Sequence, residues 1–208
     1  NEESGVQKTV ASALSSNYPP QKLKVILIDD GSTDNTWKKM KFYRKNSQVL
    51  LIKQNENKGK ALSLNNALKM VTTELVATFD ANTSIEKDGL LHAANMFLKN
   101  KNLSAISGTV LIDSPKSLAQ KAQSIEYQTF SFTKKMLGLI GGVLVAPGAF
   151  TLYKTAILKE VGGFRRAHKL EDMELTFRLH SLGYIVDHNH TTIVRTTGPK
   201  TLKALFKQ

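Results

Sequence analysis

Three short apolar runs constrain this chain more than any other feature. Each closes on polar residues and is followed by a stretch of helical period. Lys24–Ile28, rich in β-branched residues, opens into Asp29-Asp30-Gly31-Ser32; Gln48–Ile52 opens into Lys53-Gln54-Asn55; Glu74–Phe79 opens into Asp80-Ala81-Asn82. Runs of this kind read as buried strands. The segments Val6–Ser16, Asp34–Lys45, Lys60–Val71 and Asp88–Leu98 carry apolar residues at helical spacing, as with Ala61, Leu64, Leu68 and Val71. Strands alternating with helices imply an α/β fold with an open, mostly parallel sheet flanked by helices. In such sheets ligands bind beyond the carboxyl ends of the strands. A crevice that gathers the three polar strand ends is therefore where chemistry is expected.

The second half breaks this rhythm. Ala105–Ile112 and Phe150–Tyr153 read as strands, Ser117–Leu137 as one long helix and Glu171–Leu182 as another. No internal repeat, low-complexity tract or linker interrupts the chain, and its 208 residues suit one well-buried domain. Residues 1–208 are read as a single catalytic domain truncated at both ends, because the chain starts abruptly at Asn1-Glu2-Glu3 and stops just after a helical pattern begins.

Composition narrows the classes. There is no cysteine, which removes disulfides and thiolate metal sites. A formal charge of +12 calls for a polyanionic neighbour, whether a phosphorylated small molecule, an anionic membrane face or nucleic acid. The lysines are scattered and aromatic content is only 7%, so nucleic acid is not the expected partner. No apolar run reaches the length of about 20 residues that spans a bilayer. The longest weakly polar stretch, Met136–Leu152, holds four glycines and Pro147 and reads as a buried loop and strand. His168, His188 and His190 show no metal-ligand spacing and read as surface or loop residues.

Four segments carry chemistry-bearing residues. Asp29-Asp30-Gly31-Ser32-Thr33-Asp34 is in part a βα turn that caps the next helix. Turn chemistry does not explain two acids at a strand end, whereas a carboxylate there can accept the imide hydrogen of a uracil ring. Asn57-Lys58-Gly59-Lys60 puts a glycine and two lysines at a helix start, where a pyrophosphate is favoured, though the spacing is not that of a Walker loop. Asp80-Ala81-Asn82 is either an ordinary strand-to-loop turn or a pair of oxygen ligands for Mg2+ or Mn2+. Glu171-Asp172 begins a helix, where the helix dipole favours acids; it also suits a general base that takes a proton from a sugar hydroxyl. The helix is expected to anchor through Met173, Phe177 and Leu182, leaving Asp172 facing the crevice.

In order, Asn1-Glu2-Glu3, Asp29-Asp30-Gly31-Ser32, Asn57-Lys58-Gly59-Lys60, Asp80-Ala81-Asn82, Pro147-Gly148-Ala149-Phe150, Gly162-Gly163-Phe164 and Glu171-Asp172 resemble glycosyltransferase family 2. The second half is most similar to bacterial processive synthases of the poly-N-acetylglucosamine, hyaluronan and cellulose type. The resemblance implies a GT-A fold, a UDP-sugar donor, a growing glycan or lipid acceptor and inversion at the anomeric carbon. It places Asp30 and Asp29 at the nucleoside, Lys60 and Asp80 at the donor, Asp80 and Asn82 at the metal, and Asp172 as base with Glu171 beside it. Gln208 would be the first residue of a Gln-X-X-Arg-Trp motif, and Asn1-Glu2-Glu3 the tail of a first strand. It further implies a domain on the cytoplasmic face of the cell membrane, attached through flanking segments of a longer protein. Asn at position 82, where the family has Asp, removes one negative charge from the metal motif. Non-processive transfer to a lipid or other single acceptor, a catalytically weakened nucleotide-binding domain and a nucleotidyltransferase are the alternatives. The last lacks its activating glycine-rich loop.

Overall fold

The structure is a computed structural model and describes residues 1–166 and 171–205, with the backbone alone at Glu171. The expected alternation is present. Helix α1 (Val6–Leu14) leads into strand β1 (Val25–Asp30), helix α2 (Thr36–Met40), strand β2 (Val49–Gln54), helix α3 (Lys60–Leu68) and strand β3 (Leu75–Phe79). Next come strand β4 (Thr83–Ile85), helix α4 (Gly89–Lys99), strand β5 (Leu103–Ile112) and the long helix α5 (Leu118–Gly138). Strand β6 (Phe150–Lys154), helices α6 (Thr155–Glu160) and α7 (Glu171–Ser181), strand β7 (Ile185–Thr196) and helix α8 (Leu202–Leu205) complete the order.

Strands β1 and β2 pair in parallel, Val25 opposite Val49 through Asp30 opposite Gln54, as the strand–helix alternation requires. The other strands form a five-stranded sheet in the order β3-β6-β5-β7-β4. Here β5 and β7 run parallel, while β3–β6, β5–β6 and β4–β7 are antiparallel. The sheet is thus mixed in direction. The antiparallel neighbours come from the second half, where β6 enters between β3 and β5.

Two apolar clusters cover this sheet. One joins α3, α6 and α7 to it through Leu68, Leu158, Leu175, Leu179 and Val186, and the other joins α4 through Leu90, Ala93 and Phe97 to Ile106 and Phe150. A third, Val6, Val10 and Met40, holds α1 and α2 on the β1–β2 pair. Helix α5 starts where sequence placed it, with Ser117 as cap: its Oγ accepts from Gln120 N, and Gln120 reaches back to Ser117 N.

Several expectations change. Helix α7 buries Leu175, Thr176 and Leu179, whereas Phe177 and Leu182 are exposed. The helix faces the core through its 175–179 ridge, because that ridge meets β7 and α3 residues. The stretch after α5 buries Val143, Ala146 and Phe150 but exposes Leu139 and Ile140. Strand β7 escaped a reading by period because Asp187-His188-Asn189-His190-Thr191-Thr192 breaks the apolar alternation. Pairing with β5 forms it regardless. His188 is buried, its Nδ1 3.0 Å from Ser107 Oγ and its Nε2 3.3 Å from Thr109 Oγ1. His190 is exposed, and His168 lies outside the described residues.

Burial, with the charges of Lys134 and His190 adding to it, pulls the His188 pKa down to about 3. In the unfolded chain an imidazole titrates near pH 6.5. Between these values the unfolded state binds the extra proton, so stability is lost as pH falls from about 6.5 toward 3. His188→Gln keeps hydrogen-bonding capacity toward Ser107 and Thr109 and removes the titration. Urea melts between pH 6.5 and 5 should show a shallower decline for the variant than for the natural chain; equal slopes would contradict the assignment.

Candidate active site

The site is assembled by the turns at the ends of β1, β3 and the segment before β6, and by the first turns of α3 and α7. At the end of β1 the two acids differ. Asp29 is 1% exposed; its Oδ1 accepts from Ser32 N at 3.3 Å and its Oδ2 has no hydrogen-bond partner among the described residues. Asp30 accepts from Lys58 N at 2.8 Å through Oδ1 and from Gly59 N at 2.9 Å through Oδ2. Its carboxylate thereby ties the Asn57-Lys58-Gly59-Lys60 loop to the end of β1. Gly31, at φ +69°, is required beside it: a Cβ there would lie 2.6 Å from Asn57 N.

The first residue of α3 is Lys60. Its Nζ donates to Asp80 Oδ1 at 2.7 Å. With both side chains 39% exposed, this pair adds little to stability, and its consequence is positional. It puts an ammonium beside the carboxylate that ends β3. Asn82 is turned away, its Oδ1 accepting from Thr196 Oγ1 of β7 at 3.3 Å.

Gly148 closes the arrangement. A Cβ at this position would lie 2.7 Å from Lys60 Nζ and 2.9 Å from Asp172 Cγ. The Pro147-Gly148-Ala149 turn therefore packs its bare backbone against the ammonium of α3 and the carboxylate of α7. Thr176 fixes the start of α7 by accepting from Ala146 N at 3.0 Å and donating to Asp172 O at 2.7 Å. Burial raises the Tyr153 hydroxyl pKa, with the Asp172 charge adding to the rise. Burial also raises that of Tyr127 on α5, with the Glu126 and Asp80 charges adding.

Gly162-Gly163-Phe164 holds α3 and α7 together. Asn65 of α3 donates to Phe164 O at 2.7 Å and accepts from Phe164 N at 2.9 Å. Arg178 of α7 donates from Nη2 to Gly163 O at 2.7 Å and from Nη1 to Val161 O, and pairs with Glu174 through two bonds of 2.9 Å.

Of the residues expected from sequence, Lys60, Asp80 and Asp172 converge on Gly148, and Asp29 and Asp30 lie one turn away at the loop that carries Lys60. Asn82 is engaged elsewhere. The Glu171 side chain and Gln208 lie outside the described residues. Sequence reasoning missed Tyr127, Tyr153, Asn65 and Arg178. No local motif marks them: Tyr127 and Tyr153 come from α5 and β6, and Asn65 and Arg178, on the helices of Lys60 and Asp172, act through partners far off in the chain. Asn1-Glu2-Glu3 stands against the β1–α2 turn, where Asn1 Oδ1 accepts from Thr33 N at 2.8 Å and Glu3 Oε2 from Asn35 N at 2.9 Å.

The arrangement offers a carboxylate, Asp172, for proton transfer and an ammonium for a diphosphate. Asp80 provides one carboxylate oxygen set for a hard cation, which commonly takes one or two protein carboxylates plus phosphate oxygens. No group of three or more acidic or histidine side chains stands ready for a metal among the described residues.

Comparison with known proteins agrees with this geometry. The family model described as glycosyl transferase family 2 matches residues 1–162. Poly-beta-1,6-N-acetyl-D-glucosamine synthase of Staphylococcus epidermidis is 33% identical over all of this chain and half of its own length. That of Staphylococcus aureus strain COL is 30% identical with the same coverage. The chain thus spans about half the length of the curated relatives it matches. Among solved structures, the mannosyltransferase PcManGT of Pyrobaculum calidifontis in complex with GDP-Man and Mn2+ superposes with a TM-score of 0.75 at 20% identity, over 95% of this chain and 54% of that one. S. aureus TarS 1-349 in complex with UDP-GlcNAc gives 0.74 at 18% identity, over 100% and 58%.

Asp30→Ala removes both acceptors of the Lys58 and Gly59 amides. Hydrogen bonds to a charged group contribute about 1.5–3 kcal/mol each when buried and less where solvent reaches them. Faster amide exchange at Lys58 and Gly59 is expected, with the apolar clusters still protected. Unchanged exchange at these two amides would mean that the loop does not depend on Asp30.

Proposed function

The chain belongs to glycosyltransferase family 2 and has the GT-A fold; from that premise we propose that it is the catalytic domain of an inverting transferase that moves a sugar from a UDP-sugar to a hydroxyl of a growing glycan. The observation that carries this reading is the convergence of Asp172, Lys60 and Asp80 at the Gly148 turn. N-acetylglucosamine is the sugar favoured by the names of the sequence relatives, and a β-1,6-linked polymer the product. The fold neighbours carry different nucleotides, GDP in one and UDP in the other, so the uridine assignment rests on this chain's own acids. Asp30 and Asp29, the two acids that end β1, are the proposed readers of the uracil imide. Asp30 is the more accessible and also clasps the loop, while the Asp29 oxygen without a partner among the described residues is buried behind it.

The acceptor hydroxyl gives its proton to the Asp172 carboxylate. Its oxygen forms a bond to the anomeric carbon as the bond from that carbon to the diphosphate oxygen breaks on the opposite face. The proton stays on Asp172 and the electron pair leaves with UDP, whose new charge Lys60 faces. A divalent cation such as Mg2+ or Mn2+ fits Asp80, and when bound would help neutralise the leaving diphosphate. With its oxygen on Thr196, Asn82 is a weak second ligand. Glu171, as a second acid next to the base, and Gln208, as a donor-binding residue, complete the proposed set. Residues 1–208 act as one domain of a longer protein, on the cytoplasmic face of the membrane.

Asp172→Asn in the full-length enzyme should lower polymer synthesis by about 10²–10⁴-fold, the usual contribution of a general base. UDP affinity and melting temperature should stay close to those of the parent. Retained synthesis would remove Asp172 from the mechanism. The donor assignment has its own test by titration calorimetry. UDP should bind more tightly than ADP or GDP, Asp29→Asn should narrow that preference, and Mn2+ should raise UDP affinity. Equal affinities for the three nucleotides would exclude uridine recognition.

A further inference from the structure

Helix α5 is oriented opposite to a soluble surface helix. Its fully buried positions are small or polar: Ala119, Gln120, Gln123 and Ser131. Gln120 donates to Gly198 O at 3.2 Å from this inner face. Lys134 is also drawn inward, and burial pulls its pKa down to about 8. The outward face is the apolar one. Leu118, Ile125, Phe132, Met136, Leu139 and Ile140 are between 51% and 80% exposed. Successive spacings of seven, seven, four and three residues, with Ile140 four beyond Met136, put them on one side of the helix and of the turn that continues it. Exposed large apolar residues scattered singly need no explanation, but a stripe that runs nearly the full length of a 21-residue helix does.

We infer that this stripe seats the domain on the surface of an anionic lipid bilayer, with α5 lying in the interface plane. The charge around the stripe selects this occupant. Lys116, Lys121 and Lys135 are exposed on or beside α5, which contains a single acid, Glu126. The chain as a whole carries +12. Apolar side chains flanked by lysines match the interface between acyl chains and anionic headgroups. A second copy matches less well, because a two-fold contact through this face would set the same lysines against themselves. Among the described residues no helix is long and apolar enough to cross a membrane, so α5 lies on the bilayer. The inference does not depend on sugar transfer, and its test contains no donor.

The test uses the 208-residue chain with vesicles of phosphatidylglycerol and phosphatidylcholine, and vesicles of phosphatidylcholine alone. Cosedimentation should show binding to the anionic vesicles that weakens with salt. The double variant Ile125→Gln, Phe132→Ser should lower partition about 10- to 100-fold, since each residue contributes burial of a large apolar side chain. Phe42→Ser, at an exposed apolar residue away from α5, is the control and should bind like the parent. Circular dichroism and melting curves confirm that the variants fold. A tryptophan placed by Phe132→Trp should be quenched by brominated acyl chains, while Trp37 is not. Vesicle binding unaffected by the double variant, or an unquenched tryptophan at 132, would overturn the inference. So would parental self-association that the double variant abolishes in the absence of any vesicle binding, which would assign the stripe to a second copy.

Discussion

Both oxygens of the Asp30 carboxylate accept from consecutive backbone amides, those of Lys58 and Gly59, and the rest of the site depends on that grip. The loop it holds is short and carries no apolar anchor of its own. Without an acceptor at the end of β1, the Lys58 amide loses the acceptor it has here and the Gly59 amide keeps only Asn57 Oδ1 at 3.1 Å. With it, the first residue of α3 is set at a fixed height above the sheet, and Lys60 meets Asp80 at the end of β3. An acid from β1 thus decides where a cation stands relative to β3, although the two strands belong to separate hydrogen-bonded sheets.

The opposite wall is placed by a different device. Asn65 and Arg178 grip the two sides of the Gly162-Gly163-Phe164 turn, one from α3 and one from α7. Gly163 sits at φ +68°, and its bare Cα admits the Asn65 amide. The turn acts as a spacer between the helix that bears Lys60 and the helix that bears Asp172. The Arg178 side chain is 9% exposed and pairs with Glu174, so the charge it brings inward is matched within its own helix. Gly148 completes the spacing, because any side chain there would push ammonium and carboxylate apart.

Helix α5 shows how a polar inner face is kept. Its capping box fixes its start, Gln120 ties it to Gly198 O just beyond β7, and Gly138 lets it lie close to Asp187 of β7, where a Cβ would meet the carboxylate at 2.6 Å. The same side of the molecule holds His188 neutral among Ser107 and Thr109. Hydrophobic burial contributes through Tyr127, which packs on the cluster of Ile106 and Phe150, while most other large side chains of α5 point outward. A cover for that face lowers the free energy of the whole arrangement.

Local sequence determined the elements whose period is clean. The β1, β2 and β3 runs, α3, α4 and the Ser117 start of α5 lie within a few residues of their expected bounds. Acids at the ends of β1 and β3 and at the start of α7 marked Asp29, Asp30, Asp80 and Asp172 as the chemically loaded positions; the structure sets Asp80 and Asp172 beside Lys60 and Gly148, and Asp30 on the loop that carries Lys60. The tertiary structure alone decided the rest. Strand β7 forms from a polar run because β5 supplies its partners, and β4 exists only through β7. The roles of the paired acids separated there too: Asp30 became a clasp and Asp29 kept a free oxygen. Asn82 was drawn to Thr196, and α7 turned its Leu175–Leu179 ridge inward. These outcomes rest on hydrogen bonds and contacts between residues far apart in the chain, whereas period and turn chemistry report only on residues a few positions apart.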